Sequence, residues 1–299
     1  GSVYTLKGPW AEIRDFESPY TGLHTSATST FYFTRFNDNF EAVNTYFHID
    51  NSMRWVNNSL GFNLTPYQYV GGVRFDPHGL SGSDNSHYIT STGSIAYGDG
   101  GVDDAEDLGV VLHELCHGLH DWITDGGLSQ VEGLSEGSCD YWATSYIRST
   151  GFWTPAYSAY NWVFIWDGHN PFWAGRITNY TAHYPEGLTG TIHTDGQMWS
   201  SSLMSIYDLI GKIPTDKNFL EALSMTDGSS GQQDAANAFI AADQLIYGGS
   251  HLAQIIPIFA DRGYIEGPIA ADFMADITNG EAPLTVHFTD LSISQPNPI

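Results

Sequence analysis

The sequence predicts an α+β protein of two lobes, and three observations carry that prediction. Segments of alternating apolar and polar residues occupy roughly the first hundred positions. An apolar helical stretch follows, and from there to about residue 262 helical spacing dominates. The expected division is a mixed β/α N-terminal lobe, 1–128, closed by a central helix, and a mainly helical lobe, 129–268. A linker with a partial β-sandwich tail, 269–299, completes it.

Residues Phe31 to Phe36 alternate aromatic and polar and read as a strand. Asn37-Asp38 offers a helix cap, after which Phe40, Val43, Phe47, Met53, Val56 and Leu60 recur at helical spacing. Val70 to Phe75 is a second strand. The stretch His87 to Tyr97, bracketed by Asp84-Asn85 and Gly98-Asp99-Gly100-Gly101, reads as strand, turn, strand. From Val102 the texture becomes helical, with Leu108, Val111, Leu112, Leu115 and Leu119 as an apolar stripe. Asp103, Asp104, Glu106 and Asp107 are expected in its first turn, where negative charge suits the helix dipole. Further helices are expected over Glu132–Ser149, Asp195–Ile210, Lys217–Thr226, Gln233–Leu245 and His251–Arg262. Beyond Gly267-Pro268-Ile269, two alternating stretches around Gly280 resemble the opening of a PKD-type β-sandwich module. Such a module needs about seven strands, more than the remaining residues provide, so only its start is expected.

Composition narrows the function. The chain has 299 residues, 41% of them hydrophobic, enough for a sizeable core. Lys and Arg total 10 against 34 Asp and Glu, a formal net charge of −24. That balance speaks against nucleic acid and anionic membrane surfaces as partners, since both call for basic patches. The 14% aromatic content speaks against a disordered acidic tail, and no apolar run reaches the length of a membrane span. Poverty in Lys together with abundant Tyr, Trp, Gly, Asn and Ser fits a secreted protein. The opening Gly1-Ser2-Val3-Tyr4 carries no leader, so an export signal and a propeptide are expected in a precursor.

The chemistry concentrates in His113-Glu114-Leu115-Cys116-His117, an H-E-x-x-H pattern on the apolar helix. Four residues make a little over one helical turn, so both imidazoles leave one face roughly 6 Å apart along the axis and can converge on one zinc ion. Glu114 then stands beside the open coordination position, where a carboxylate can take a proton from water. A third ligand is needed, and the next helix supplies Glu136. Asp140, one turn on, can accept the free N–H of a ligand histidine.

With 18 intervening residues between His117 and Glu136, and then Asp140, the pattern resembles the thermolysin-like zinc metallopeptidases, most closely the fungalysin branch. Gly100 to Asp107 resembles that branch's lead-in to the motif. Asp84 to Tyr88, with Tyr97 to Gly100, resembles the edge strand that pairs with substrate. Ile192-His193-Thr194-Asp195-Gly196-Gln197-Met198-Trp199 resembles the segment holding the transition-state histidine. The resemblance implies a zincin fold in which His113, His117 and Glu136 bind one zinc and Glu114 polarises the attacking water. His193 would donate to the oxyanion, and Asn85 with the Ser86 backbone would hold substrate as an added strand. Arg176 would line the pocket beyond the scissile bond. Two departures stand out. The family's usual tyrosine between the two zinc helices has no match around Leu128-Ser129-Gln130, which leaves Tyr184 as a substitute from elsewhere. Gln197 stands where many relatives carry a carboxylate.

Other residues have plainer readings. His120 lies seven residues after His113, too far for a shared ion, and reads as a satisfied surface residue or a partner to a ligand. Cys116 and Cys139 flank ligand positions on helices that must cross, so they read as a disulfide or as two buried free thiols. The acidic group 103–107 reads as a calcium site or as charges matched to the helix dipole. His169 and His183 are alternatives to His193. The reading as a whole is a secreted zinc endopeptidase acting on peptides or proteins. Its rivals are a catalytically inert zinc scaffold that binds through the PKD-like tail, and a zinc hydrolase of a non-peptide substrate.

Overall fold

A computed structural model of the protein describes residues 3–266, 273–275, 280 and 285–290. Two short strands, β1 (Tyr4–Thr5) and β3 (Thr25–Ser26), pair antiparallel at the start of the chain. The main sheet has four strands: β2 (Ala11–Ile13), β4 (Val73–Asp76), β5 (Ser86–Ile89) and β6 (Ser94–Tyr97). Their order is β2-β4-β6-β5, parallel except that β5 runs antiparallel to β6 and lies at the edge. The turn between β5 and β6 follows the expected strand, turn, strand pattern.

Two sequence expectations change here. Residues 31–36 form no strand, although Phe31 and Phe33 alternate with more exposed neighbours. Their rings pack edge-on against His24 at 5.7 and 4.9 Å instead of on a sheet, so periodicity without a backbone partner yields only an extended loop. Phe47, expected on the apolar stripe, is exposed, and the buried face of helix α1 (Asn39–Arg54) is made by Ala42, Thr45, Ile49 and Met53.

The central helix α2 (Leu108–Ile123) is buried along almost its whole length, although His113, Glu114, His117, His120 and Asp121 interrupt its apolar residues. The acidic group 103–107 precedes it rather than forming its first turn. Asp104–Glu106 make a single 3-10 turn, and Asp107 is the cap, its carboxylate accepting from Gly109 N at 2.7 Å. The same carboxylate takes the Trp166 and Asp167 amides at 2.7 and 2.9 Å. Helices α3 (Leu134–Ser149), α4 (Ile192–Ile210), α5 (Lys212–Leu223), α6 (Gln232–Tyr247) and α7 (Leu252–Asp261) follow in the expected order. No helix among the described residues is long and apolar enough to cross a membrane.

Buried polar groups tie these helices together. Asp216, fully buried on α5, accepts from Tyr141 Oη, Ser145 Oγ, Trp55 Nε1 and Lys212 Nζ at 2.7 to 2.8 Å. A buried carboxylate with four donors is fully compensated. In the tail, β7 (Phe273–Ala275) and β8 (Phe288–Asp290) pair antiparallel. The remainder of the expected PKD-type start, and the linker at 267–269, lie outside the described residues.

The crossing of α3 and α4 is set by Gly137 and Gly196. A Cβ on Gly137 would stand 2.2 Å from Gly196 O, and one on Gly196 would stand 2.6 Å from Gly137 N. Backbone meets backbone there, so neither neighbour can yield. Helix propensity alone favours Ala over Gly by about 1 kcal/mol, whereas overpacking costs about 1–3 kcal/mol or more. Gly137→Ala is therefore expected to be net destabilising by about 1–2 kcal/mol, read as a lower urea midpoint; an unchanged or higher midpoint would contradict the close crossing.

Candidate functional site

The elements that deliver the site are α2, α3, the start of α4 and the edge strand β5. His113 and His117 leave the same face of α2, their ring centroids 4.9 Å apart. Glu136 reaches them from the first turn of α3. Its Oε2 lies 3.4 Å from His113 Nε2, and its Oε1 lies 3.6 Å from His117 Nε2. His193, the second residue of α4, places Nε2 3.5 Å from the same Oε2. All of these side chains line one cavity of about 1070 Å³, together with Glu114, Asn85, Ser86 and Arg176. The fold thus places eight of the residues singled out for ligation, catalysis or substrate contact on that cavity, with Asp140 directly behind His113. The exceptions are discussed below.

The second row of contacts is as specific as the first. His113 Nδ1 lies 3.0 Å from Asp140 Oδ1, the orientation expected of a carboxylate behind a ligand histidine. His117 Nδ1 lies 2.8 Å from Ser135 Oγ. Arg176 hydrogen-bonds through Nε to Asp140 Oδ1 at 3.0 Å, and one Nη stands 3.3 Å from both ring nitrogens of His113 and 3.7 Å from Glu136 Oε2. Its guanidinium is therefore largely committed to the base of the site. Gln130 Nε2 donates to Glu136 Oε1 at 3.2 Å, and Gln197 Oε1 accepts the Ile177 amide at 3.0 Å, tethering the segment that carries Arg176 to α4.

Burial and charge settle the protonation of this cluster. Burial by itself would raise the Glu136 carboxyl, but His117, His113 and Arg176 hold it well below the usual range, so it is ionised. Burial pushes the His117 ring below its ordinary value. For His113, burial and the neighbouring Arg176 oppose protonation, yet the Asp140 and Glu136 carboxylates beside the ring prevail and lift it to about 9. A cation binding at Nε2 must displace that proton, so affinity rises with pH.

Two imidazoles and an ionised carboxylate are a fitting donor set for zinc. Glu136 Oε2 is moreover buried without a hydrogen-bond partner among the described residues, an orphaned oxygen in a ring of nitrogens that a cation would satisfy. Cys139 also has its sulfur within 4.8 Å of the two histidines. It is fully buried, its thiol is pushed well up by burial and by Cys116, and it does not line the cavity. Glu136 is therefore the better third donor.

Several expectations need correction. Cys116 and Cys139 are free thiols, not a disulfide; Cys116 Sγ instead donates to Ser138 O at 3.5 Å. His120 is neither at the surface nor satisfied. It is fully buried, neither ring nitrogen has a hydrogen-bond partner among the described residues, and burial lowers it to about 3. Tyr184 is directed away, donating to Glu132 Oε1 at 3.1 Å, and is not a cavity residue. His169 stacks on Trp162 at 4.1 Å and His183 is exposed; neither lines the cavity. Sequence reasoning missed Gln130 and Ser135, and the rings of Phe164 and Trp173 that line the cavity. Only Ser135 had a signal, its place directly before Glu136.

The comparisons with known proteins can be set beside this geometry. No protein-family model matches the chain. It is 28% identical over 202 residues to the extracellular metalloproteinase MEP of Pyricularia oryzae, covering 55% of this chain and 31% of that protein. It is likewise 28% identical over 232 residues to the Fusarium vanettenii protein of the same name, covering 61% and 35%. The chain therefore spans about a third of the length of these curated relatives. Among solved structures, the precursor of protealysin, a metalloproteinase from Serratia proteamaculans, superposes with a TM-score of 0.61 at 14% identity, over 87% of this chain and 89% of that one. The chain shares its fold with that protein.

The cavity wall next to β5 is itself acidic. Asp84, Asp104 and Asp167 bring one carboxylate oxygen each within 4.8 Å of one another. Asp104 accepts from Ser86 Oγ at 2.5 Å, yet burial and the neighbouring acids raise it to about 8; burial and Asp107 raise Asp167 to about 6. In the unfolded chain Asp104 loses its proton near its ordinary value, whereas folded it keeps the proton to about pH 8. Stability therefore declines as pH rises through that window. Asp104→Asn removes this decline. Between pH 5 and pH 8 the wild type is expected to lose at least about 1.4 kcal/mol more than the variant, the linkage value of one unit. Urea unfolding at the two pH values measures it, and parallel losses would contradict it.

Proposed function

We propose that the protein is a secreted zinc endopeptidase of the thermolysin and fungalysin type. The observation that carries this is the meeting of His113 Nε2, His117 Nε2 and the Glu136 carboxylate on the wall of a cavity that Glu114 also lines. Similarity to extracellular metalloproteinases and the fold held in common with the protealysin precursor support it. The same similarity supports secretion, and the precursor state of the Serratia neighbour supports a propeptide in the precursor of this chain.

His113, His117 and Glu136 would hold the zinc, which when bound supplies Lewis-acid polarisation of water and carbonyl. The rest of the chemistry belongs to the chain's own residues. Glu114 takes a proton from the attacking water and returns it to the leaving amine. His193, whose Nε2 stands 3.5 Å from Glu136 Oε2, donates to the oxygen on which charge develops. Asp140 keeps the proton on His113 Nδ1 and so presents Nε2 outward. Arg176, bound to Asp140, holds that carboxylate in place and lines the cavity beside it. Strand β5, which Ser86 opens and Asn85 precedes, lies at the edge of its sheet among the described residues. An extended peptide can add there, a grip indifferent to most side chains and so suited to an endopeptidase rather than to a hydrolase of sugars or esters.

Three variants separate these roles. Glu114→Gln is expected to keep about one zinc per chain while peptide turnover falls at least about a hundredfold. His193→Ala is expected to lower kcat by about 10²–10³ with little change in KM. Asp140→Asn is expected to weaken zinc binding about 10–100-fold in a competition with a chromophoric chelator. Cut sites are read by mass spectrometry in a diverse peptide library. A zinc-loaded wild type that cuts no peptide, or a Glu114→Gln protein as active as the wild type, would overturn the proposal.

A further inference from the structure

The wall of the cavity beside β5 combines acids with apolar surface. Asp84, Asp104 and Asp167 line it and bring one carboxylate oxygen each within 4.8 Å of one another. Asp84 directly precedes Asn85, and Asp104 accepts from the hydroxyl of Ser86, which opens β5. Asp167 comes from a separate segment, which the Asp107 carboxylate holds through the Trp166 and Asp167 amides. Among the described residues no Lys, Arg or His pairs with any of the three. Arg176 is the only Lys or Arg that lines the cavity, and it is bound to Asp140. Val110, Phe164 and Trp173 line the same cavity. The Phe164 ring meets His113 at 5.5 Å and Trp173 at 4.9 Å. An aromatic face therefore adjoins a candidate metal ligand on the segment that carries Asp167 three residues on.

Three carboxylates this close repel one another unless a positive charge or protons intervene. Burial and the neighbouring acids raise Asp104 to about 8 and Asp167 to about 6, so a cation arriving there relieves the crowding. The main-chain grip of an edge strand is indifferent to side chains, and preference must come from the pockets beside it. A long side chain with a cationic head fits this one. Its methylenes can lie on Phe164 and Val110 while the head donates charge-assisted hydrogen bonds to the acids. We propose that Asp84, Asp104 and Asp167 form a subsite for a lysine or arginine side chain of the bound peptide, making the protein selective for basic residues near the cut, a specificity that rests on the peptidase reading above. Because Ser86 both opens β5 and binds Asp104, the subsite keeps a fixed register with the strand on which the peptide adds.

Two measurements on the zinc-loaded full chain test the subsite. In the first, a diverse peptide library is digested and the cut sites are read by mass spectrometry. Lys and Arg are expected to be enriched at least about tenfold at one fixed position relative to the cut. The second needs no turnover. Glu114→Gln protein is titrated with alanine hexapeptides carrying one lysine, walked through each position, and with the same peptides carrying norleucine, which keeps the stem and lacks the charge. The best lysine peptide is expected to bind at least about tenfold more tightly than its norleucine counterpart. Asp84→Asn with Asp167→Asn should erase most of that ratio. Glu186→Gln with Glu266→Gln removes the same charge at exposed sites outside the cavity and should leave the ratio intact. If the first pair fails to fold, Asp84→Asn alone is read and should still lower the ratio. Equal binding of lysine and norleucine would overturn the subsite. So would a ratio that survives loss of the cavity acids, since it would reflect only the net charge of −24. Cutting without basic enrichment overturns the subsite and leaves the peptidase reading standing. Lysine selectivity in binding without any cutting upholds the subsite and overturns the peptidase reading.

Discussion

One ionised carboxylate organises the centre of this protein. Glu136 is buried among three imidazoles and a guanidinium, and those positive or proton-donating groups are what keep it charged in a place where burial alone would neutralise it. Each partner comes from a different part of the chain: α2, the segment around residue 176, and the start of α4. The carboxylate can hold them only if the helices bearing them are rigidly spaced. The glycine contact between α3 and α4 and the all-round burial of α2 supply that spacing.

The site has a floor and a wall. On the floor, Asp140, Ser135 and Gln130 each bind an atom of a candidate ligand and fix its orientation. On the wall, the edge strand β5 and the carboxylates of Asp84, Asp104 and Asp167 face the open volume. His193 bridges the two, close to Glu136 yet 57% exposed in its side chain, which leaves it free to meet an incoming group. Arg176 is placed differently from an open substrate arm. Its commitment to Asp140 makes it part of the framework behind His113 as much as a wall of the cavity.

Where sequence patterns misled, the cause was a missing tertiary partner. Residues 31–36 carry a strand's alternation, yet among the described residues no strand pairs with them, and the rings of Phe31 and Phe33 pack on His24. Cys116 and Cys139 do come together between crossing helices, but as thiols in an apolar interior. His120 shows the reverse case: a polar residue with a polar reading whose helix is enclosed on every side, so that its ring is buried and neutral.

By itself the sequence determined the order of the helices, the central helix with its two histidines one turn apart, and Glu136 with Asp140 four residues on. All of these follow from local periodicity, in which neighbours along the chain are neighbours in space. What only the tertiary structure decided is which distant groups share the site. Gln130 on Glu136, Ser135 on His117, Arg176 against His113, and the choice of His193 over His169 and His183 depend on how separate helices and loops cross. That crossing is fixed by backbone contact at Gly137 and Gly196 and by the burial of α2, which no local pattern encodes.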